Sequence, residues 1–151
     1  MNIASLCSGN VVTIREFEEL SAAAQLMREK HVGYLVVVTP DVGGGGSRPI
    51  GVLTDRDIVV TVVAKDTDAR TLRVGDVMTR NPVVVSESDS VEQALQRMRS
   101  IGVRRLPVVG SNGALVGVLS LDEIIDALAA ALQNVGSSIK AERRIETALR
   151  P

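Results

Sequence analysis

A nine-residue stretch that joins a predicted strand to a predicted helix occurs twice in this chain of 151 residues. The first copy, GVLTDRDIV, contains Thr54 and Asp57, and the second copy, GVLSLDEII, contains Ser120 and Glu123. A Thr or Ser followed three residues later by an acid is the pattern of a helix capping box. A helix start at the end of a strand also presents free N–H groups and partial positive charge, which suit a phosphate or another polar ligand group. Each copy therefore predicts a helix start that doubles as a candidate ligand site.

The repetition extends over most of the chain. Residues 10–38 align without a gap on residues 81–109, at an offset of seventy-one. Each copy predicts the element order β-α-β-β-α from its hydrophobic periodicity. Because a sheet of three short strands cannot bury both of its faces alone, two copies that pack sheet to sheet would solve this problem. We predict an α/β (α+β) fold in which two β-α-β-β-α repeats pack sheet to sheet with pseudo-two-fold symmetry and form one compact module.

The alignment also predicts the boundaries within this module. The first repeat spans residues 1–65, a polar linker spans 66–73, the second repeat spans 74–135 and a C-terminal tail spans 136–151. The closing helix of the second repeat is predicted over Leu121–Gln133, with Gly136 as its stop. The tail has a weak apolar stripe, which leaves open whether it packs on a dimer partner or frays. The glycine-rich stretch DVGGGGSRP joins two predicted strands, so it is interpreted as a flexible connection and not as a phosphate loop.

Composition and charge argue against several classes of partner. Phe17 and Tyr34 are the only aromatic residues, which disfavours nucleic-acid binding by base stacking on aromatic side chains. The chain has 17 basic and 18 acidic residues and a net charge of −1, so no global field attracts nucleic acid or an anionic membrane. No stretch reaches eighteen apolar residues and the start lacks a signal-peptide pattern. We predict a cytoplasmic protein with no nucleic-acid partner and no membrane partner.

The residues that usually carry catalysis or bind metals are scarce. Cys7 is the single cysteine and His31 the single histidine, which excludes an internal disulfide and gives little support to a histidine triad or a metal cluster. The paired acids Asp55 and Asp57 could in principle do acid–base chemistry, but no second reactant pocket is indicated. We predict no catalytic residues, no metal ligands and no enzymatic activity.

The repeated pattern resembles the CBS domain, a family usually found as a tandem pair called a Bateman module. The second copy has the stretches VGDVMTRNPVVV, SVEQALQRM, GVRRLPVV and GALVGVLS where the family expects them. The first copy departs from the family at its start, SLCSGNVVTI, and at Val36, which aligns with Pro107. The resemblance extends from Ile3 to about Gln133. It identifies the chain as similar to stand-alone two-CBS proteins.

The resemblance implies a regulatory or sensor module that binds an adenosine-containing ligand in the cleft between repeats. The candidate ligands are AMP, ADP, ATP, S-adenosylmethionine and NAD, and no cofactor is required. It further implies a homodimer and a conformational change that is transmitted to an unknown regulated protein. The sequence leaves an alternative open, which is a structural dimerisation module with no bound nucleotide.

The family's ribose-binding signature, Gly-x-x-Ser/Thr-x-x-Asp, falls on the two nine-residue copies. It places Gly51, Thr54 and Asp57 in the first copy and Gly117, Ser120 and Glu123 in the second. A carboxylate at this position can accept hydrogen bonds from both hydroxyls of a ribose. Glu123 is one methylene longer than an aspartate, and a shift of about 1 Å spoils such a bidentate contact. The resemblance therefore favours binding at the first copy over binding at the second.

Three arginines are the candidate phosphate ligands. Arg56 lies in the first copy of the repeated stretch, whereas Arg104 and Arg105 precede the strand LPVV of the second repeat, where related modules often have basic residues. The favoured ribose acid and the favoured cations therefore belong to different repeats. The sequence does not say whether they meet in one cleft.

Overall fold

A computed structural model describes residues 1–150 of the chain. Its first half contains α1 (Ile3–Leu6), β1 (Thr13–Ile14), α2 (Leu20–Lys30), β2 (Tyr34–Val38), β3 (Pro49–Thr54) and α3 (Asp55–Ile58), which continues as a π-helical turn over Val59–Val63. Its second half contains α4 (Val74–Val77), β4 (Thr79–Arg80), β5 (Val85–Ser86), α5 (Val91–Ile101), β6 (Arg105–Val109), β7 (Leu115–Ser120) and α6 (Leu121–Leu149), after a 3₁₀ turn over Ala69–Thr71.

The strands form two sheets, one for each repeat. The first has the order β1-β2-β3-β4 and the second the order β5-β6-β7. In each sheet the first strand is parallel to the second, and the next strand returns antiparallel as a hairpin. The predicted order β-α-β-β-α is therefore present twice, and the predicted fold class is confirmed. The sequence did not reveal α1, α4 or β4.

Alternation along β2 explains how the sheets pack. Leu35 and Val37 are buried against the helices of their own repeat. Val36 points from the opposite face of the sheet and is also fully buried, and Pro107 at the equivalent position of β6 is buried. Since side chains of a strand alternate between its two faces, each sheet is covered by helices on one face and by the other sheet on the other face.

The two repeats exchange their leading segments. Ile3 of α1 is fully buried in the core of the second repeat, whereas Val74 of α4 and Met78 lie in the core of the first. Strand β4 pairs with β3 of the first sheet, and Ser8 forms a bridge with Val118 of the second. Each repeat therefore completes the core of the other, which explains why the pair is one module.

Helix α6 does not end where the sequence predicts. It runs for 29 residues to Leu149, about 43 Å at the rise of an α-helix, so the prediction of a stop at Gly136 is wrong. A glycine ends a helix when it adopts a positive φ, and Gly136 does not. Glycine within a helix costs only about 1 kcal/mol relative to alanine, and the helical residues on both sides of Gly136 outweigh that cost.

The glycine-rich connection between β2 and β3 is anchored to the other repeat. The side-chain amide of Asn112 donates a hydrogen bond to the carbonyl of Gly45, at 2.9 Å. The N–H of Leu115 donates to the carbonyl of Ser47, at 2.8 Å. The turns of the two hairpins therefore touch each other, and the segment interpreted as a flexible connection from sequence is held at both of these points.

Candidate functional site

The junction of β3 and α3 forms the predicted capping box. The N–H of Asp57 donates to Thr54 Oγ1 at 3.1 Å, and Asp57 Oδ2 accepts from the N–H of Thr54 at 2.9 Å. Within residues 1–150, Asp57 Oδ1 accepts no protein hydrogen bond and the Thr54 hydroxyl donates none. Both groups are half-buried. One carboxylate oxygen and one hydroxyl are thus fixed in place with their bonding capacity free.

A cavity of about 560 Å³, which we call the first cleft, opens beside this junction. The predicted site residues around it come from both repeats: Thr54, Arg56 and Asp57 from the first, and Arg104 and Arg105 from the second. The favoured acid and the favoured cations therefore face the same space. Pockets of roughly 300–1,000 Å³ are typical of small-molecule sites, and the first cleft is of that size.

Apolar side chains line the rest of the first cleft, and none of them was among the predicted site residues. Val52 and Pro107 come from the facing sheet surfaces, and Pro82 and Val83 come from the segment between β4 and β5. That segment reaches the first cleft because β4 pairs with the first sheet. The sequence contained one signal for the position of this segment. Thr79 lines the first cleft and lies two residues before the Asn-x-Val-Val stretch of its repeat, and Ser8 precedes the Asn-Val-Val stretch of the other repeat in the same way.

A second cleft, of about 260 Å³, lies at the equivalent position of the other repeat. Ser120, Glu123 and Arg105 line it, together with His31 and Asn10. His31 is the C-cap of α2 and has a left-handed φ of 54°. Its counterpart in the first cleft is Gly102, the C-cap of α5. The second cleft is therefore lined by an imidazole where the first cleft has only the hydrogen atom of a glycine.

Glu123 uses its extra methylene to bond its own helix start. Glu123 Oε2 accepts from the N–H of Ser120 at 2.7 Å and from the Ser120 hydroxyl at 3.0 Å. The hydroxyl that is free in the first cleft is therefore occupied in the second. The capping box survives the change from aspartate to glutamate, but the serine hydroxyl is no longer available to a ligand.

Tyr34 and Arg105 separate the two clefts and line both of them. The Arg105 guanidinium lies over the Tyr34 ring, with Cζ 5.9 Å from the ring centroid, a cation–π distance. Tyr34 Oη is buried without a hydrogen-bond partner among the described residues. Burial raises the pKa of Tyr34 well above its usual range, and the positive charge of Arg105 opposes this only in part. The phenol is therefore neutral at physiological pH.

The side chain of Arg104 is held in the first cleft by an exposed ion pair. Its Nη2 lies 3.3 Å from Asp122 Oδ1 at the start of α6, and the two side chains are 72% and 63% exposed. Ion pairs this exposed contribute about 0–1 kcal/mol. Arg104 is thus free to turn towards an anion in the first cleft at little cost.

Comparison with known proteins identifies the fold around these clefts. The family model of the CBS domain matches residues 3–64 and 74–130, once for each repeat. The chain belongs to the CBS-domain family. It is a tandem CBS pair, as its resemblance to the family predicted.

Several known proteins are similar to this chain over most of its length. Hypoxic response protein 1 of Mycobacterium tuberculosis is 34% identical, with 79% of each chain covered. A crystal structure of hypoxic response protein I with two coordinated zinc ions has a TM-score of 0.72 at 32% identity, covering 83% of this chain and 98% of that one. The structure of a CBS domain protein of Pyrobaculum aerophilum complexed with AMP has a TM-score of 0.71 at 28% identity. The match covers 82% of this chain and 89% of that one. An uncharacterized protein of Methanopyrus kandleri is 30% identical over 83% of this chain, which spans only 61% of that relative.

The remaining chemistry of this CBS pair is sparse. Residues 1–150 contain no cluster of three His, Cys, Asp or Glu side chains that could hold a metal ion. Burial first, and then the negative charge of Glu123, raise the pKa of the Cys7 thiol, which keeps the thiol protonated at neutral pH. None of the helices in the described residues combines the length and apolar character needed to cross a membrane.

Proposed function

We propose that this CBS pair is a regulatory module, not an enzyme, and that it binds one adenine nucleotide in the first cleft. The observation that supports this most strongly is the placement of Asp57 and Arg104–Arg105, from different repeats, around one cavity. A ligand there touches both repeats at once. The AMP complex of the Pyrobaculum aerophilum relative supports the same class of ligand.

The side chains of the first cleft divide into three roles. Asp57 Oδ1 accepts hydrogen bonds from the ribose hydroxyls and the free Thr54 hydroxyl donates one, because both are fixed by the capping box. Arg56, Arg104 and Arg105 bind the phosphate, since guanidinium groups form strong bidentate contacts with phosphate oxygens. The apolar side chains of the cleft, Val52, Val83 and Pro107, enclose the adenine.

Charge selects among the candidate ligands. Three guanidinium groups line the first cleft against two carboxylates, those of Asp55 and Asp57. With Asp57 directed to the ribose, the balance favours an anionic tail over the sulfonium of S-adenosylmethionine. We therefore expect AMP, ADP or ATP to bind in preference to S-adenosylmethionine or adenosine.

Calorimetric titration of the full chain with AMP, adenosine and S-adenosylmethionine tests this choice. AMP is expected to bind at least about tenfold more tightly than adenosine, because even one charge-assisted hydrogen bond to phosphate contributes about 1.5–3 kcal/mol. AMP should also raise the melting temperature, whereas an equal concentration of adenosine should raise it less. Equal affinities for AMP and adenosine would show that the arginines do not bind the phosphate. If none of the three ligands bound, the purely structural dimerisation module would be favoured.

Helix α6 supports homodimerisation as the second part of the proposal. Apolar residues recur along it at spacings of three and four and are about half exposed or more in the single chain: Ile125, Leu128, Leu132, Val135 and Ile139. Spacing of this kind forms one continuous stripe, as in coiled coils. The stripe lies on a helix that extends past the CBS repeats, whose family match ends at residue 130.

Charge along α6 favours a second, antiparallel copy of α6 as the occupant of this stripe. Its first two turns carry three acids and no base, Asp122, Glu123 and Asp126, whereas its last third carries three bases against two acids: Lys140, Arg143 and Arg144 with Glu142 and Glu146. Antiparallel pairing brings the acidic end of one helix to the basic end of the other and opposes the two helix dipoles. Leu132 is at the centre of the stripe and would meet its own copy.

Leu132→Lys is expected to convert the dimer to a monomer at micromolar concentration, because it places two like charges together at the centre of the interface. Light scattering after size exclusion measures the mass directly. Gln133→Lys is the matched control on the neighbouring position, outside the stripe, and should remain dimeric. A wild-type chain that is monomeric, or a Leu132→Lys variant that is still dimeric, would contradict this assignment of the interface.

Binding across the two repeats supplies the means of regulation. A ligand held by Asp57 on one side and by Arg104 and Arg105 on the other biases the angle between the repeats. A partner protein that binds one angle better than the other would be coupled to the ligand by the same free energy. A regulated partner would therefore be identified because its affinity for this chain changes when nucleotide is added. The residues of the cleft do not identify it.

A further inference from the structure

Tyr34 and Arg105 are the same position in the two CBS repeats. They are seventy-one residues apart, the offset of the repeat. Each begins the second strand of its sheet and pairs with a helix N-cap: Tyr34 lies opposite Thr54, and Arg105 lies opposite Ser120. They therefore meet on the pseudo-two-fold axis, where the two clefts adjoin. One repeat contributes a neutral ring to this meeting point and the other contributes a cation.

Arg105 is the one arginine of the described residues that lines both clefts. Arg56 and Arg104 line only the first, and His31 lines only the second. A guanidinium that turns one bidentate edge to a phosphate in the first cleft no longer presents that edge to the second cleft. The first cleft has two further arginines, whereas the second has no other.

We propose that Arg105 is a shared anion-binding residue that couples the two clefts. An anionic ligand in the first cleft draws Arg105 towards it and withdraws its charge from the second cleft, which lowers the affinity of the second cleft for anions. Charge-assisted contacts to phosphate are stronger than the cation–π contact of an exposed guanidinium, so the ligand prevails over the ring. The inference rests on the proposed nucleotide site in the first cleft.

Tyr34 is the residue that positions the guanidinium of Arg105. Its ring holds Arg105 where the guanidinium lines both clefts, with Cζ at 5.9 Å from the ring centroid. Its buried hydroxyl has no partner among the described residues, so the ring and not the hydroxyl does the positioning. Tyr34→Phe should therefore preserve the coupling, and Tyr34→Leu should abolish it.

The chain provides a reporter at the second cleft, because His31 is its only histidine. In the full chain labelled with ¹³C,¹⁵N-histidine, the ring of His31 gives one set of signals without background. Titration with AMP is expected to shift these signals, and the shift should saturate with the dissociation constant that calorimetry gives for the first cleft. Binding and coupling are thus measured separately on one sample.

Three variants distinguish the outcomes. With Arg105→Ala the His31 shift should be lost even at saturating AMP, whereas with Arg104→Ala, which weakens binding at the first cleft alone, the shift should return at saturation. With Asp57→Ala the heat of binding and the His31 shift should both move to higher AMP concentrations by the same factor, which excludes AMP acting directly in the second cleft.

The proposal is overturned if the His31 signals of the wild-type chain stay in place while AMP binds, or if the shift survives in Arg105→Ala. It is also overturned if Tyr34→Leu and Tyr34→Phe give the same shift as the wild type, since Tyr34 would then have no part in it. An absence of any heat with AMP in the wild-type chain would instead overturn the proposed function, and the inference with it.

Discussion

Asp57→Ala is expected to weaken AMP binding by at least about thirty-fold, because the ribose loses charge-assisted hydrogen bonds worth about 1.5–3 kcal/mol each. The carboxylate is already fixed by its bond from the N–H of Thr54 at 2.9 Å, so little freedom is lost on binding and most of that energy appears as affinity. Calorimetry at constant ionic strength measures the loss.

Glu123→Ala is the matched control for this experiment. It removes the equivalent acid of the second capping box, which is formed in the same way, and each alanine variant is expected to lose a similar stability of about 0.5–2 kcal/mol. AMP affinity should stay within about twofold of the wild type in Glu123→Ala, because the second cleft is not a nucleotide site in this account. Equal losses in the two variants would show that the effect came from folding and not from the ribose contact.

Ile3→Ala is expected to destabilise the second CBS repeat, although Ile3 lies in the first half of the sequence. Ile3 is fully buried in the core formed by Val85, Leu106, Leu119 and Ile124. Truncation of a fully buried isoleucine costs about 2–5 kcal/mol, through lost burial and the cavity left behind. That is a large share of the stability of a small domain, typically about 5–15 kcal/mol.

Urea unfolding measures the loss in Ile3→Ala, and hydrogen exchange locates it. Amides of β6 and β7 should exchange faster, and those of β2 and β3 should change less. Val74→Ala is the counterpart, because Val74 occupies the same place in the core of the first repeat, and it should reverse the pattern. Faster exchange confined to β2 and β3 in Ile3→Ala would contradict the exchange of leading segments.

The fold was predictable where the sequence repeats itself over long stretches. The constant offset of seventy-one and the periodicity of helices such as Leu20–Lys30 and Val91–Ile101 are strong signals, and the predicted element order is present in both repeats. The exchanged segments carry no such signal, because α1 and α4 have four residues each and β4 has two. Elements this short contain only about one period of a helical or strand pattern, so their presence is evident only from tertiary packing.

The candidate site was predictable by residue type but not by arrangement. The pattern of Thr54 and Asp57 identified the capping box, and the arginine pair was identified by its place in the repeat. Their meeting in one cleft depends on how the pseudo-two-fold axis places one sheet against the other, which no local pattern encodes. The closure of Glu123 onto Ser120 depends on side-chain torsions, and the contact of Arg105 with Tyr34 became evident only once the two repeats were seen face to face.

A crystal structure of the chain with AMP would show whether one ligand is held by both CBS repeats in the first cleft. We expect ribose hydroxyls within hydrogen-bond distance of Asp57 and a phosphate in contact with Arg104 and Arg105. AMP bound in the second cleft beside Glu123, or bound to residues of one repeat alone, would contradict it.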